Sequence, residues 1–214
     1  MERLGIAIND KAGMYAAAAL IRRRPDLSFT ILYDPATGED FYKKNKARFR
    51  SMKMDAALCL TQDADGDFAE LLKEASAKGR TMGYRNHDVN TEFLAHTVAD
   101  GLFHHSYVLN MIDSYEARFE KGGAVVLALL GYSYRRDDFS RAFKEKGITV
   151  ADPLDRWLET FPETEEEEEG ERRFFWTVWD FSVERFMGEL LGEAVRFRKY
   201  YPHPWLRGEV SKKR

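Results

Sequence analysis

The stretch "RLGIAINDKAGMYAAAALIRRRPDLSFTILYDP", Arg3 to Pro35, decides the fold. Leu4 to Ile8 is a short apolar run of strand length, broken by Asn9, Asp10 and Lys11. "GMYAAAALIRRRP" then predicts a helix, stopped by Pro25, whose ring cannot continue it. Leu27 to Tyr33 predicts a second strand, ended by Asp34-Pro35. The same alternation continues downstream. "EDFYKKNKARFRSM" is an amphipathic helix with Phe41, Asn45, Arg48 and Phe49 following its turns, "MDAALCLT" a strand, and "GDFAELLKEASAKG" a helix with a glycine stop. "RTMGY" is a short strand, and "AVVLALLG" a nearly continuous apolar one suited to a central place with both faces covered. "RDDFSRAFKEKG" is a helix and "ITVADP" a last strand. Alternation of this kind predicts an α/β fold: a mostly parallel sheet of about six strands, helices on both faces, and right-handed crossovers.

Two regions depart from that rhythm. Asn90-Thr91 can cap a helix, after which Leu94, Val98, Leu102, His105, Leu109 and Ile112 recur at steps of three or four. Unbroken to Glu120 this helix measures about 45 Å at about 1.5 Å per residue; a break near Gly101 is the simpler alternative. After Pro153 the character changes, dividing the chain into an α/β domain over 1–153, an acidic loop over 154–172 and a C-terminal part over 173–214. "PETEEEEEGE" repels itself and is solvated. "RRFFWTVWDFSVERFMGELLGEAVRFRKYY" reads as one aromatic-rich helix, which has to bury its face against the domain, a second subunit through residues 174–201, or a lipid surface. "HPWLRGEVSKKR" reads as a frayed basic end.

Composition sets the bounds. The 214 residues are 44% hydrophobic and 14% aromatic, enough for a packed core. A formal charge of −3 argues against non-specific nucleic-acid binding, which needs a positive field. One cysteine, Cys59, excludes an internal disulfide and a multi-cysteine zinc site. No apolar stretch approaches the roughly 18 residues that span a bilayer, and the first apolar run is too short for a secretory signal. A cytoplasmic protein is expected.

"LALLGYSYRRDD", residues 127–138, holds the most suggestive chemistry. As a nucleophile elbow it offers Ser133, with Asp152 or Asp180 and then His203 in the right order, but Arg135 stands where a small residue is needed. As an anion site it offers Arg135 and Arg136 at a helix start, although Asp137 and Asp138 compete for the same donors. Asp63, Asp65, Asp67 and Glu74 match calcium-loop ligand positions, yet Phe68 replaces the required glycine, so the acids read as helix caps. His96, Asp100 and His104 share a helix face as helical spacing produces by chance, and no metal-ligand set is assigned. No motif names a cofactor.

Every predicted strand ends in polar residues, and in an open parallel sheet those ends line one crevice. Asp10, Asp34, Arg85, His87, Asp88, Tyr134 and Arg135 are therefore the candidate binders of a small polar or anionic molecule. A divalent metal beside it is compatible with the acids. The competing reading is a non-enzymatic interaction protein that works through its aromatic C-terminal segment.

In "RRRPDLSFTILYD", "YRNHDVNTEFLAHTV" and "GGAVVLALLGYSY", residues 3–150 resemble the TraB/ChaN-like superfamily, the erythromycin-esterase-like proteins. Arg85 and Asp88 match that family's turn and Gly131 its late strand end. Asn9, Tyr33 or Asp34, and Tyr134 stand where the family has histidine, glutamate and histidine. The resemblance thus implies a degenerate or repurposed hydrolase-like protein. "AALCLT" and "LKEKGITV" also resemble aspartate/glutamate racemases, in which a strand-end cysteine is one of two opposed bases. Here there is no second thiol, and Cys59 sits inside the apolar run, where a buried, inert thiol is expected.

Overall fold

A computed structural model of the chain describes residues 2–62, 66–163 and 169–201. The fold is α/β, and all of its strand pairs are parallel. The opening stretch forms β1 (Arg3–Ile8), α1 (Lys11–Arg23) and β2 (Ser28–Tyr33), in register from Arg3 opposite Ser28 to Ile8 opposite Tyr33. Next come α2 (Gly38–Ser51), β3 (Ala56–Leu60) and α3 (Asp67–Ala75). Then follow β4 (Arg80–Gly83), β5 (Val89–Asn90), α4 (Glu92–Asp100) and α5 (Val108–Glu116). After β6 (Ala124–Leu127), α6 (Arg136–Phe143), β7 (Thr149–Ala151) and α7 (Pro153–Leu158), the chain closes with β8 (Arg172–Trp176), α8 (Phe181–Leu191) and β9 (Phe197–Lys199).

The expected sheet of about six strands is two sheets. One has the order β3-β1-β2-β8-β9, the other β5-β4-β6-β7. The reason is pairing: β4 takes β6 rather than β3, an outcome of side-chain fit that periodicity does not encode. Gly79, just before β4, shows how close that fit is, since a Cβ there would stand 2.2 Å from the Ala124 carbonyl oxygen. The aromatic C-terminal stretch is not one helix but β8, α8 and β9, and it completes the first sheet against β2. Its apolar residues therefore alternate between sheet and helix surfaces: Phe174, Val183, Met187, Leu190 and Phe197 join the main core. α7 occupies the start of the segment read as loop, and the glutamates of 164–168 lie outside the described residues.

The long helical region breaks at Gly101, whose φ of +78° ends α4 in a left-handed cap. "AVVLALLG" is strand only to Leu127; Leu130–Arg135 turns as a 3₁₀ helix. The alanine run of α1 has a structural cause. Every residue from Gly13 to Ile21 is buried, because α1 packs on β1 and β3 of the first sheet and on the 130–135 turn that follows β6 of the second. Small side chains let backbone reach backbone on all sides of such a helix. No helix among the described residues is long and apolar enough to cross a membrane.

Candidate functional site

The C-terminal ends of β1, β2 and β8 gather polar groups. After β1, Asp10 caps α1, its Oδ1 accepting from the Gly13 N–H at 2.7 Å. Asn9 donates to the Ala36 carbonyl at 3.3 Å, while its Oδ1 is buried without a hydrogen-bond partner among the described residues. After β2, the buried Asp34 accepts from the Ala36 N–H at 3.2 Å, from Asn45 at 3.3 Å and from Arg48. Burial pushes the Asp34 carboxyl up, but Arg48 and the Ala36 N–H outweigh it and hold it below its ordinary value. After β8, Thr177 donates its N–H to the Tyr33 carbonyl at 3.0 Å, and Asp180 caps α8 by accepting from the Ser182 N–H at 2.9 Å. The Tyr33 side chain, at the end of β2, is buried. Burial, then Asp180, Asp10 and Asp34, raise its pKa.

Of the residues singled out in the sequence, Asp10 and Asp34 thus follow the adjacent strands β1 and β2 of the first sheet. Arg85, His87 and Asp88 occupy the β4–β5 turn of the other sheet. Arg85 adopts φ +52° and lays its guanidinium over the Tyr84 ring at 4.6 Å. Asp88 latches the turn by accepting from the Thr81 N–H at 2.7 Å and the Thr81 hydroxyl at 2.9 Å, contacts that draw its pKa down. His87 packs on Gly83, and burial lowers its pKa against the pull of Asp88.

Tyr134 and Arg135 stand at the seam between the sheets. Tyr134 donates to the Leu190 carbonyl at 3.3 Å and lies under the Arg22 guanidinium. Arg135 donates to the carbonyls of Phe103 at 3.0 Å, His104 at 2.5 Å and His105 at 3.0 Å, and pairs with Asp138 at 2.9 Å. Its charge is spent on tying down the 103–105 loop.

The seam itself is filled. Gln62, after β3, donates to the Ala128 carbonyl at 3.3 Å and accepts from the Leu130 N–H at 2.9 Å, joining the ends of β3 and β6. Tyr15 of α1 wedges between Phe103, Tyr134 and Phe186 at ring separations of 5.8, 5.2 and 5.3 Å. Arg23 pairs with Asp152 at 2.7 Å and Asp155 at 2.9 Å. Ser133 is buried and donates to Asp152 at 2.8 Å, so this serine holds a carboxylate in place with no histidine between them. Tyr132 is equally buried, its hydroxyl 2.7 Å from that of Thr91, and burial drives its pKa upward. Cys59 lies within β3 with its thiol pushed up to about 12, by burial first and then by Asp67. His203, Asp63 and Asp65 are outside the described residues. Among the described residues no cluster of three or more histidines, cysteines or carboxylates is placed to hold a metal.

No family model and no curated protein matches the chain. Solved structures do. The glutamate racemase of Thermus thermophilus, in complex with β-chloro-D-alanine, superimposes with a TM-score of 0.61 at 17% identity, over 93% of this chain and 96% of that one. The chain has the fold of glutamate racemases. The enzyme of Campylobacter jejuni gives 0.55 at 12% identity over 89% and 98% of the two chains. That of Francisella tularensis, in complex with D-glutamate, gives 0.51 at 11% over 94% and 98%. This overturns the TraB/ChaN resemblance. Its quoted motifs were strand and turn patterns that any alternating α/β chain carries, and its Arg85–Asp88 turn serves to latch β4 to β5.

In the sequence Tyr33 stands as a strand-end residue and Asp180 only as a possible acid partner of Ser133, and Thr177 is not singled out, because residues 172–201 read there as a single helix. The signal that could have found them is "WDFSVERF": an aspartate before Ser182 and Glu184 is a helix start, not a helix interior.

Proposed function

We propose that the protein binds a small polar molecule bearing a cationic amine, of amino-acid size, at the ends of β1, β2 and β8. The observation that carries this reading is the buried Oδ1 of Asn9, without a hydrogen-bond partner among the described residues, at an edge where Asp10, Asp34 and Asp180 follow the adjacent parallel strands β1, β2 and β8. A site of carboxylates and a spare acceptor favours a donor-rich cation. The arginines that suggested an anion are engaged elsewhere: Arg135 by three carbonyls and Asp138, Arg136 by Asp137 and Asp155, and Arg85 over the Tyr84 ring, while Arg48 pairs with Asp34. Two of the similar structures hold amino acids or their analogues, β-chloro-D-alanine and D-glutamate, which accords with a ligand of this class. Racemisation through a pair of thiols is not part of the proposal, because the chain has one cysteine and its thiol is buried.

The test is a thermal-shift and calorimetry panel of D- and L-amino acids, simple amines, dicarboxylates and phosphate esters. An amine-bearing compound should stabilise the protein, and Asp10→Asn or Asp180→Asn should remove the response. Both substitutions keep a side-chain oxygen to cap α1 and α8, so the fold is spared. Stabilisation by amine-free anions alone, or a response indifferent to both variants, sinks the reading.

A second reading, an assembly surface, has its own observation. Val178, Trp179 and Phe181, in the β8–α8 connection, are 56%, 66% and 60% exposed. Contiguous exposed apolar side chains are the feature that marks a contact surface. Light scattering decides it: a concentration-dependent dimer that Trp179→Ser dissolves supports assembly, and a monomer at all concentrations removes it.

A further inference from the structure

A cavity of about 210 Å³ lies away from the strand ends, along the outer edge of β3 and beneath α3. That volume admits a short unbranched chain. Its walls differ in chemistry. Leu58 and Leu71 supply an aliphatic floor and Trp157 of α7 an indole wall, while Asp67, Glu70 and Glu74 set three carboxylates against the one amine of Lys46.

The charges are unequally spent. Lys46 closes the free edge of β3, donating to the Ala57 carbonyl at 2.8 Å and pairing with Asp67 at 2.8 Å, while Asp67 accepts from the Cys59 N–H at 2.6 Å. Glu74 pairs with Arg156 at 2.7 Å. Glu70 makes no ion pair among the described residues. The field is felt by a neighbour: burial first, then the charge of Asp67 and its hydrogen bond, with Glu70 adding, push the Tyr42 phenol up to about 12.

We infer that this cavity binds a small organic cation, an alkylammonium or alkylguanidinium on an aliphatic stem. Its head pairs with Glu70 and lies against the Trp157 indole, and its stem covers Leu58 and Leu71. An indole face and an unneutralised carboxylate both select for positive charge, and the aliphatic floor rewards methylenes over water. This site is separate from the one at the strand ends.

Isothermal titration of the full chain with agmatine and with putrescine tests it, using 1,4-butanediol as the uncharged counterpart and glutarate as the anionic one. Agmatine and putrescine should bind and the other two should not. Glu70→Gln, an exposed position where the fold is not at stake, should weaken agmatine about tenfold, as should Trp157→Leu. Asp10→Asn should leave that affinity within about twofold. The inference is overturned if butanediol binds as well as putrescine, if neither cation binds, or if Asp10→Asn rather than Glu70→Gln abolishes binding. The last outcome assigns the cation to the strand ends, so the two sites fail independently.

Discussion

Ser133 shows how a residue's neighbours decide its chemistry. Its hydroxyl is buried and committed to Asp152, which also accepts from the Leu154 N–H at 3.0 Å and pairs with Arg23 of α1. The serine is a strut in a cross-sheet network, not a nucleophile. Ser133→Ala should therefore cost about 1–2 kcal/mol in urea denaturation and leave any ligand response unchanged; loss of a ligand response with stability intact would return the serine to the functional residues. Arg135 carries the same lesson. An arginine at a turn reads as an anion hook in the sequence, but a guanidinium whose donors point at three backbone carbonyls has no charge to offer a ligand.

At the scale of elements, the break between α4 and α5 rests on one glycine. Gly101 takes φ +78°, donates its N–H to the Val98 carbonyl at 3.1 Å, and leads into the loop that Arg135 and Tyr15 hold. Gly101→Ala forces a side chain into the left-handed region and brings its Cβ to 3.0 Å from the flexible end of Lys11, which can move. A loss of about 1 kcal/mol is expected from the backbone alone, read by thermal denaturation. No loss would mean the turn relaxes into a longer helix. Up to Ala151 the strands and helices were legible, except the two-residue β5, because burial on a sheet imposes a period of two or a solid apolar run, and burial of a helix face imposes 3.6; two residues are too few to show either period. The region 172–199 was not. Its aromatic residues fit helical spacing as well as strand alternation, and the turns that divide it, at Thr177–Asp180 and Gly192, do not announce themselves against so dense an apolar background.

For the molecule as a whole, the return of the chain to the first sheet has a testable consequence. β8 covers β2 along Phe29 to Tyr33, and β9 covers β8. A chain ending at residue 163 would leave β2 as a long apolar edge, so it should aggregate or lose its cooperative unfolding transition in circular dichroism. A cooperative, monomeric fragment would show that the last strands are an addition to a complete fold. Acidity should also matter between neutral pH and pH 5. Burial lowers the pKa of His87, and burial, then His105, lowers that of His104, which Glu189 opposes and Arg135 adds to. A histidine with a depressed folded pKa is neutral in the fold while the unfolded chain binds its proton. Its contribution is therefore full above about 6.5 and is lost as the pH falls through that value towards the folded pKa. Denaturation at successive pH values should show this decline, and His87→Gln with His104→Gln should flatten it. Asp34 works at a lower pH with its depressed carboxyl: its contribution is present above the ordinary carboxylate range and lost as the pH falls through the folded value.

By itself the sequence determined the local alternation of strand and helix, the parallel α/β class, and the polar character of the strand ends. Each of these follows from short-range periodicity and turn chemistry. The tertiary structure alone decided that the nine strands among the described residues divide into two sheets, that the last two close the first of them, and which polar ends share a sheet edge. Asp10, Asp34 and Asp180 fall on one sheet edge because β1, β2 and β8 lie side by side, though the last is more than a hundred residues distant in the chain. Arg85 and Arg135, with the same outward appearance in the sequence, fall on other surfaces and find backbone or aromatic partners. Strand pairing is settled by how side chains of distant segments fit, and a linear pattern records the segments without recording their neighbours.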